Sequence, residues 1–212
     1  MYGVTFGTKH SYSDYGMILT DYEIGEPVPR RYLVTVPGRN GVLDLTEEIT
    51  PKIKYENRPL RFAFTWRTST ANFENDKQAI VNALHGQKMQ VTLDSDPDYY
   101  YVGFVTVESV TFSGREKGMA VIAVDAEPFK YAKLATTYTQ NGDGIVVCVN
   151  DRMEVIPQIT NTAEATIVFG TVSVTLSEGV HKVADIELAE GNNTLAITST
   201  GLTTITYRQG RL

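Results

Sequence analysis

The run Asp94-Ser95-Asp96-Pro97-Asp98 places carboxylates at alternate positions, as the opening of a calcium loop does. Such a loop also needs glycine at its sixth position and a bidentate acid at its twelfth, where this chain has Tyr99 and Val105. The run reads instead as an acidic turn after a strand, and no metal is expected. His10, Ser11, Ser13 and Asp14 bring base, nucleophile and acid types close together in sequence. Catalytic triads are assembled from distant segments, and no G-x-S-x-G elbow occurs, so these residues read as a polar loop after the first strand. Zinc needs converging ligands, whereas His10, His85 and His181 lie far apart in sequence. Cys148, flanked by Val147 and Val149, reads as a small core residue rather than a thiolate. No catalytic residue, cofactor or metal is expected. The residues left to act are surface ones: Tyr99 and Tyr101 of a tyrosine triplet as interface anchors, and Arg61 and Arg67 on one strand face.

Composition narrows the classes further. The 212 residues carry a net charge of −6, with 42% hydrophobic and 21% charged side chains, so a packed globular protein is expected. An acidic balance without a basic block argues against nucleic acid. No apolar run reaches the roughly 18 residues of a membrane span. The first ten residues, MYGVTFGTKH, lack the layout of a signal peptide. The 26 Thr and 22 Val make up nearly a quarter of the chain. β-branched side chains lose rotamer freedom in helices and pack well on pleated sheets, so the chain is expected to be mostly β.

The elements follow from periodicity. Leu60, Phe62, Phe64 and Trp66 alternate with Arg61, Ala63, Thr65 and Arg67, the signature of a strand with one buried face. Met89-Val91-Leu93 and the segment around Phe104 to Val107 repeat the pattern, whereas Met119 to Ala126 is apolar on both faces and predicts a strand covered on both sides. One helix is expected over about 73–85, with Asn72 as its cap, Ala79, Ile80, Ala83 and Leu84 as its apolar stripe, and Gly86 ending it. Pro37-Gly38 suits a type II turn and Asn40-Gly41 a tight hairpin turn. A boundary is expected near Glu127 to Tyr131, after which short β-like runs alternate with turns at sandwich spacing. The domains are therefore read as 1–131, a β domain carrying the helix, and 132–212, a second β domain.

Several stretches carry a family resemblance. Phe6-Gly7, His10-Ser11, Asp14-Tyr15-Gly16-Met17 and Val36-Pro37-Gly38-Arg39-Asn40-Gly41-Val42-Leu43-Asp44-Leu45 resemble the opening of the distal tail proteins (Dit) of tailed bacteriophages. Pro128-Phe129-Lys130-Tyr131 looks like that family's interdomain junction, and Gly191 to Leu195 and Tyr207 to Leu212 are similar to the close of its second domain. Within the most specific stretch, Val36, Pro37, Gly38, Arg39, Gly41 and Asp44 are the matching positions.

The resemblance implies an N-terminal β-sandwich with one α-helix and a C-terminal galectin-like, jelly-roll β-sandwich. It implies a structural subunit of a long non-contractile phage or prophage tail tip rather than an enzyme. Six copies would form a homo-hexameric ring joining the tail tube protein to the tail-associated hub or lysin protein, with a receptor-binding protein as a further partner. The protein would be made in the bacterial host cytoplasm and reside at the virion tail tip. A closed ring needs heterologous contacts between different patches of neighbouring subunits. The candidate arm for such a contact runs from Thr46 to Pro59, polar and Pro-bearing, with Lys52, Lys54, Tyr55 and Asn57 as its contact residues. The alternative reading is a carbohydrate-binding module that recognises host glycans through the second sandwich. Direct glycan binding is not expected, because the only aromatic residues after residue 131 are Tyr138, Phe169 and Tyr207.

Overall fold

The computed structural model describes residues 3–49, 52–114 and 116–212, without the Glu47 side chain. Pro51, a part of the expected arm, lies outside the described residues. The chain is mostly β, and its internal contacts divide it into two compact units, 1–128 and 129–212.

The first unit contains β1 (Val4–Phe6), β2 (Lys9–His10), α1 (Ser11–Tyr15), β3 (Ile18–Ile24), β4 (Leu33–Val34), β5 (Leu43–Asp44) and α2 (Thr46–Ile49). There follow β6 (Arg58–Arg67), α3 (Phe73–Leu84), β7 (Gln87–Leu93), β8 (Tyr99–Ser113) and β9 (Lys117–Ala126). Seven of these strands pair in the order β2-β1-β7-β8-β9-β6-β3. Alternation on β6 sends Leu60, Phe62, Phe64 and Trp66 inward, all at or below 4% exposure. Phe6 of β1 meets Phe62 and Phe64 of β6 with ring centroids 5.9 and 6.2 Å apart. Strands sit about 4.8 Å apart, so two strands separated by three others would be roughly 19 Å apart in a flat sheet. The sheet therefore folds over on itself, and a single hydrogen-bonded path makes both layers of a sandwich.

α3 closes this core with Ile80 and Leu84, while Phe73 stacks on Trp66 at 6.4 Å. The Trp66 indole N–H and the Thr68 hydroxyl both donate to Asp76 in the first turn of α3. Asn72 does not cap the helix as expected. Its own backbone is already helical, and the entry turn is closed instead by Phe73 N–H donating to Ser69 C=O at 2.9 Å. Gly86, at φ +75°, does end the helix. The expectation that β9 is covered on both sides also fails. Ala120, Ile122 and Val124 are buried, but Met119 is 37% exposed, because β6 and β8 flank the strand while no second layer covers its outer face. Two short helices, α1 and α2, were not legible in the sequence.

The second unit contains β10 (Lys130–Ala132), β11 (Thr136–Asn141), β12 (Gly144–Asn150), β13 (Gln158–Asn161) and β14 (Ala165–Phe169). It continues with β15 (Val172–Leu176), β16 (Gly179–Lys182), β17 (Gly191–Ser199), β18 (Leu202–Tyr207) and β19 (Gly210–Arg211). Its antiparallel sheets β11-β18-β13-β16 and β12-β17-β14-β15 enclose a core of Ile159 and Ile205 from one sheet and Cys148, Ile167, Leu195 and Ile197 from the other. β10 and β19 pair beside them.

Candidate functional site

β3 and β6 are antiparallel neighbours whose ladder ends at Ile24 opposite Leu60. Everything between those two residues is a single excursion. Its two limbs stay paired for some distance: Gly25 N–H donates to Pro59 C=O, Glu56 N–H to Val28 C=O and Arg30 N–H to Lys54 C=O, each at 2.8 Å. Beyond that, Leu33 and Val34 of β4 face Asp44 and Leu43 of β5. The tip turn is closed by Arg39 N–H donating to Val36 C=O at 3.2 Å, with Gly38 at φ +81° as a type II turn requires. Asn40 keeps a negative φ, so Asn40-Gly41 does not form the tight hairpin turn expected of it.

The excursion is thus longer than the arm expected over Thr46 to Pro59. It also includes Val36, Pro37, Gly38, Arg39, Gly41 and Asp44, so the motif residues and the arm residues Lys52, Lys54, Tyr55 and Asn57 belong to one structure. Asp44 is its organising group. It accepts from Arg31 Nη2 at 2.7 Å, from the Thr46 hydroxyl at 2.5 Å and from Thr46 N–H at 3.0 Å. The Thr46 hydroxyl and then the Arg31 guanidinium hold the Asp44 carboxyl down to about 2. The rest of the excursion is conspicuously bare. Val28, Leu33, Val34, Val42, Ile49 and Ile53 are between 43% and 60% exposed. Fully burying a side chain of this kind is worth about 1.5–3 kcal/mol, so the excursion holds several kcal/mol in reserve for a partner. A concavity of about 380 Å³, lined by Pro29, Arg30, Arg31, Asp44, Thr46, Glu48 and Ile53, opens beside the bare side chains.

The base is held by a residue that sequence reasoning missed. Arg58 is 2% exposed. Its guanidinium donates to Gly25 C=O at 2.8 Å, to Glu26 at 3.2 Å and to Pro128 C=O at 3.3 Å, and lies 5.4 Å from the centroid of the Tyr101 ring. The signal was there: position 58 continues the inward series 60, 62, 64, 66. Asn57 fixes the neighbouring turn by donating to Asp125 at 3.1 Å.

The remaining interface candidates lie elsewhere on the first unit. Arg61 and Arg67 occupy the outer face of β6, paired with Glu108 at 3.1 Å and Glu116 at 2.7 Å. Tyr99 is half-buried at the start of β8. Tyr101 is 7% exposed and belongs to the core, so it is not a surface anchor; its ring is needed under Arg58.

The residues with chemical potential are tied into the structure. His10 caps α1, its Nδ1 accepting from Tyr12 and Ser13 N–H at 3.3 Å, while its own N–H donates to Asp14 at 2.8 Å. The polar loop expected there is thus a capped helical turn. Ser11 Oγ accepts from Val4 N–H, and His10 Nε2 lies 3.1 Å from Asp94. His85 Nδ1 accepts from Val107 N–H at the β8 bulge. Cys148 is wholly buried, and burial pushes its thiol up to about 11. Among the described residues no group of three His, Cys, Asp or Glu side chains is placed to hold a metal. In the second unit Tyr138 and Tyr207 stack at 6.3 Å, and both hydroxyls bond the Val149 backbone.

A folded-over sheet closed by one helix, extended by a long excursion and followed by a second β-sandwich, is the fold of the phage distal tail proteins. The particular structure it matches is the crystal structure of Dit (gp 19.1) of phage SPP1, titled a paradigm of the hub adsorption apparatus in phages infecting Gram-positive bacteria. The match has a TM-score of 0.71 at 16% sequence identity and covers 100% of both chains. No family model matches the chain. No curated protein matches it either.

Proposed function

We propose that this chain is a structural subunit of a phage or prophage tail tip, built into a hexameric ring that joins the tail tube to the hub and receptor-binding apparatus. The full-length likeness to a hub protein carries the reading. The bare excursion supports it, because a ring needs one patch of each subunit to meet a different patch of the next. In this reading the residues between Gly25 and Pro59 form the arm, and the neighbouring subunit covers Leu33, Val34, Val42 and Ile53. Catalysis has no part in it. The carbohydrate reading gains nothing from the second unit's stacked tyrosines, which face the Val149 backbone instead of forming a platform for a sugar.

Light scattering and negative-stain imaging of the purified protein, alone and with its neighbouring tail proteins, test the proposal. Six-fold rings are expected, and L33D/I53D is expected to abolish them while leaving the circular dichroism unchanged. Rings that persist in the variant remove the arm from the account. A chain that stays monomeric with every tail partner present overturns the ring.

A further inference from the structure

One end of the second sandwich is polar where a core should be apolar. Across the sheet β11-β18-β13-β16, the inward row reads Gln140, Thr203, Asn161, Gly179, each residue directly opposite the next. The rows beside it are of the expected kind, with Ile159 and Ile205 wholly buried. Asn161 is 2% exposed and Thr203 is wholly buried. Among the described residues, four buried side-chain polar atoms have no protein partner, and three of them belong to this pair: Asn161 Oδ1, Asn161 Nδ2 and Thr203 Oγ1.

An unpaired buried polar group costs about 1–3 kcal/mol, so three on adjacent side chains would be a heavy penalty for a small sandwich. Directly opposed residues of an antiparallel pair hold their Cβ atoms about 5 Å apart, close enough for one small molecule to reach both side chains. Space for it comes from the fourth member of the row. Gly179 sits at φ +130°, and a Cβ built there would meet only His181 Nε2, at 3.8 Å. Gln140 flanks Thr203 on the other side, its amide turned away to donate to Asn141 and Asp143 C=O.

We propose that Asn161 and Thr203 hold internal water, one molecule bridging the Thr203 hydroxyl and the Asn161 amide. The donor set selects this ligand. It is uncharged and offers a hydroxyl, an amide oxygen and an amide N–H, which matches the roughly three hydrogen bonds a buried water makes. A hard cation needs six or more oxygens, usually with carboxylates among them, and the row contains none. Anything larger than water is shut out by the near-zero exposure of both side chains. The inference is independent of the ring proposal, because it concerns only the interior of the second unit.

Water-to-protein cross-peaks in rotating-frame NMR on the full-length chain provide the test. Cross-peaks from the Thr203 methyl and the Asn161 side-chain amide to a water resident for longer than nanoseconds are expected. Their absence overturns the proposal. Oxygen-17 relaxation dispersion gives a second reading. N161L/T203V, or T203V alone if the pair does not fold, is expected to lose one long-lived water relative to wild type. An unchanged dispersion in a folded variant also overturns it.

Discussion

Two charged residues govern the excursion, and they do so in opposite ways. Arg58 is a buried cation tied to backbone carbonyls at the base of both limbs. Removing a buried, hydrogen-bonded charge strands its partners, so R58M is expected to destabilise the first unit by about 3 kcal/mol in urea denaturation followed by Trp66 fluorescence. E26Q is expected to stay within about 0.5 kcal/mol of wild type, because Glu26 is 83% exposed and such pairs contribute little. Asp44 lies at the surface, and its effect depends on pH. Its carboxyl falls from an ordinary 3.8 to about 2 in the fold, so its contribution is complete above 3.8 and is lost as pH falls through 2. Amide exchange at Thr46 and Tyr32 is expected to accelerate across that window, and D44N is expected to show the faster exchange already at about pH 6. Arg58 and Asp44 differ in how far they could be read in advance. Asp44 stood in a recognisable motif, whereas Arg58 looked like the polar start of a strand until its inward register was visible.

At the scale of elements, period-two alternation on β6 and the capping glycine of α3 were readable because both are local. α1 was not, since it is five residues long and capped by an imidazole rather than by Ser, Thr, Asp or Asn. The true extent of the arm was hidden for a different reason. It is defined by the pairing of β3 with β6, a contact that no local pattern encodes. The Thr and Val surplus takes on a meaning at this scale too. The outer face of β12-β17-β14-β15 carries Ile145, Val147 and Val149 beside Asn192, Thr194, Ala196, Thr198 and Thr166, with no charge among them. Threonine keeps the strand preference of valine while keeping the surface wet. T166V/T194V/T198V is therefore expected to retain its β-sheet circular dichroism yet self-associate in sedimentation velocity. A monodisperse variant would show that the hydroxyls do not matter to solubility.

For the whole molecule, the two cores share no residue, and each holds a natural reporter. Trp66 belongs to the first core and Cys148 to the second. Thermal or urea unfolding is expected to give non-coincident transitions, Trp66 fluorescence following one unit and Cys148 reactivity towards a thiol reagent following the other. Coincident curves would show that the units unfold as one. The absence of a readable active site becomes intelligible at the same scale, because the bare surface lies on an excursion whose function is contact and whose partner was never written in this chain. The excursion also bears on how such a protein can change over generations. Its two ends are pinned at Gly25 and Pro59, on strands that are already neighbours. Lengthening a loop between fixed ends adds only about 0.6 kcal/mol for each doubling of its length. Insertions and deletions between those pins can therefore accumulate, and a lineage can resize its arm to a new neighbour while the folded-over sheet beneath stays unaltered.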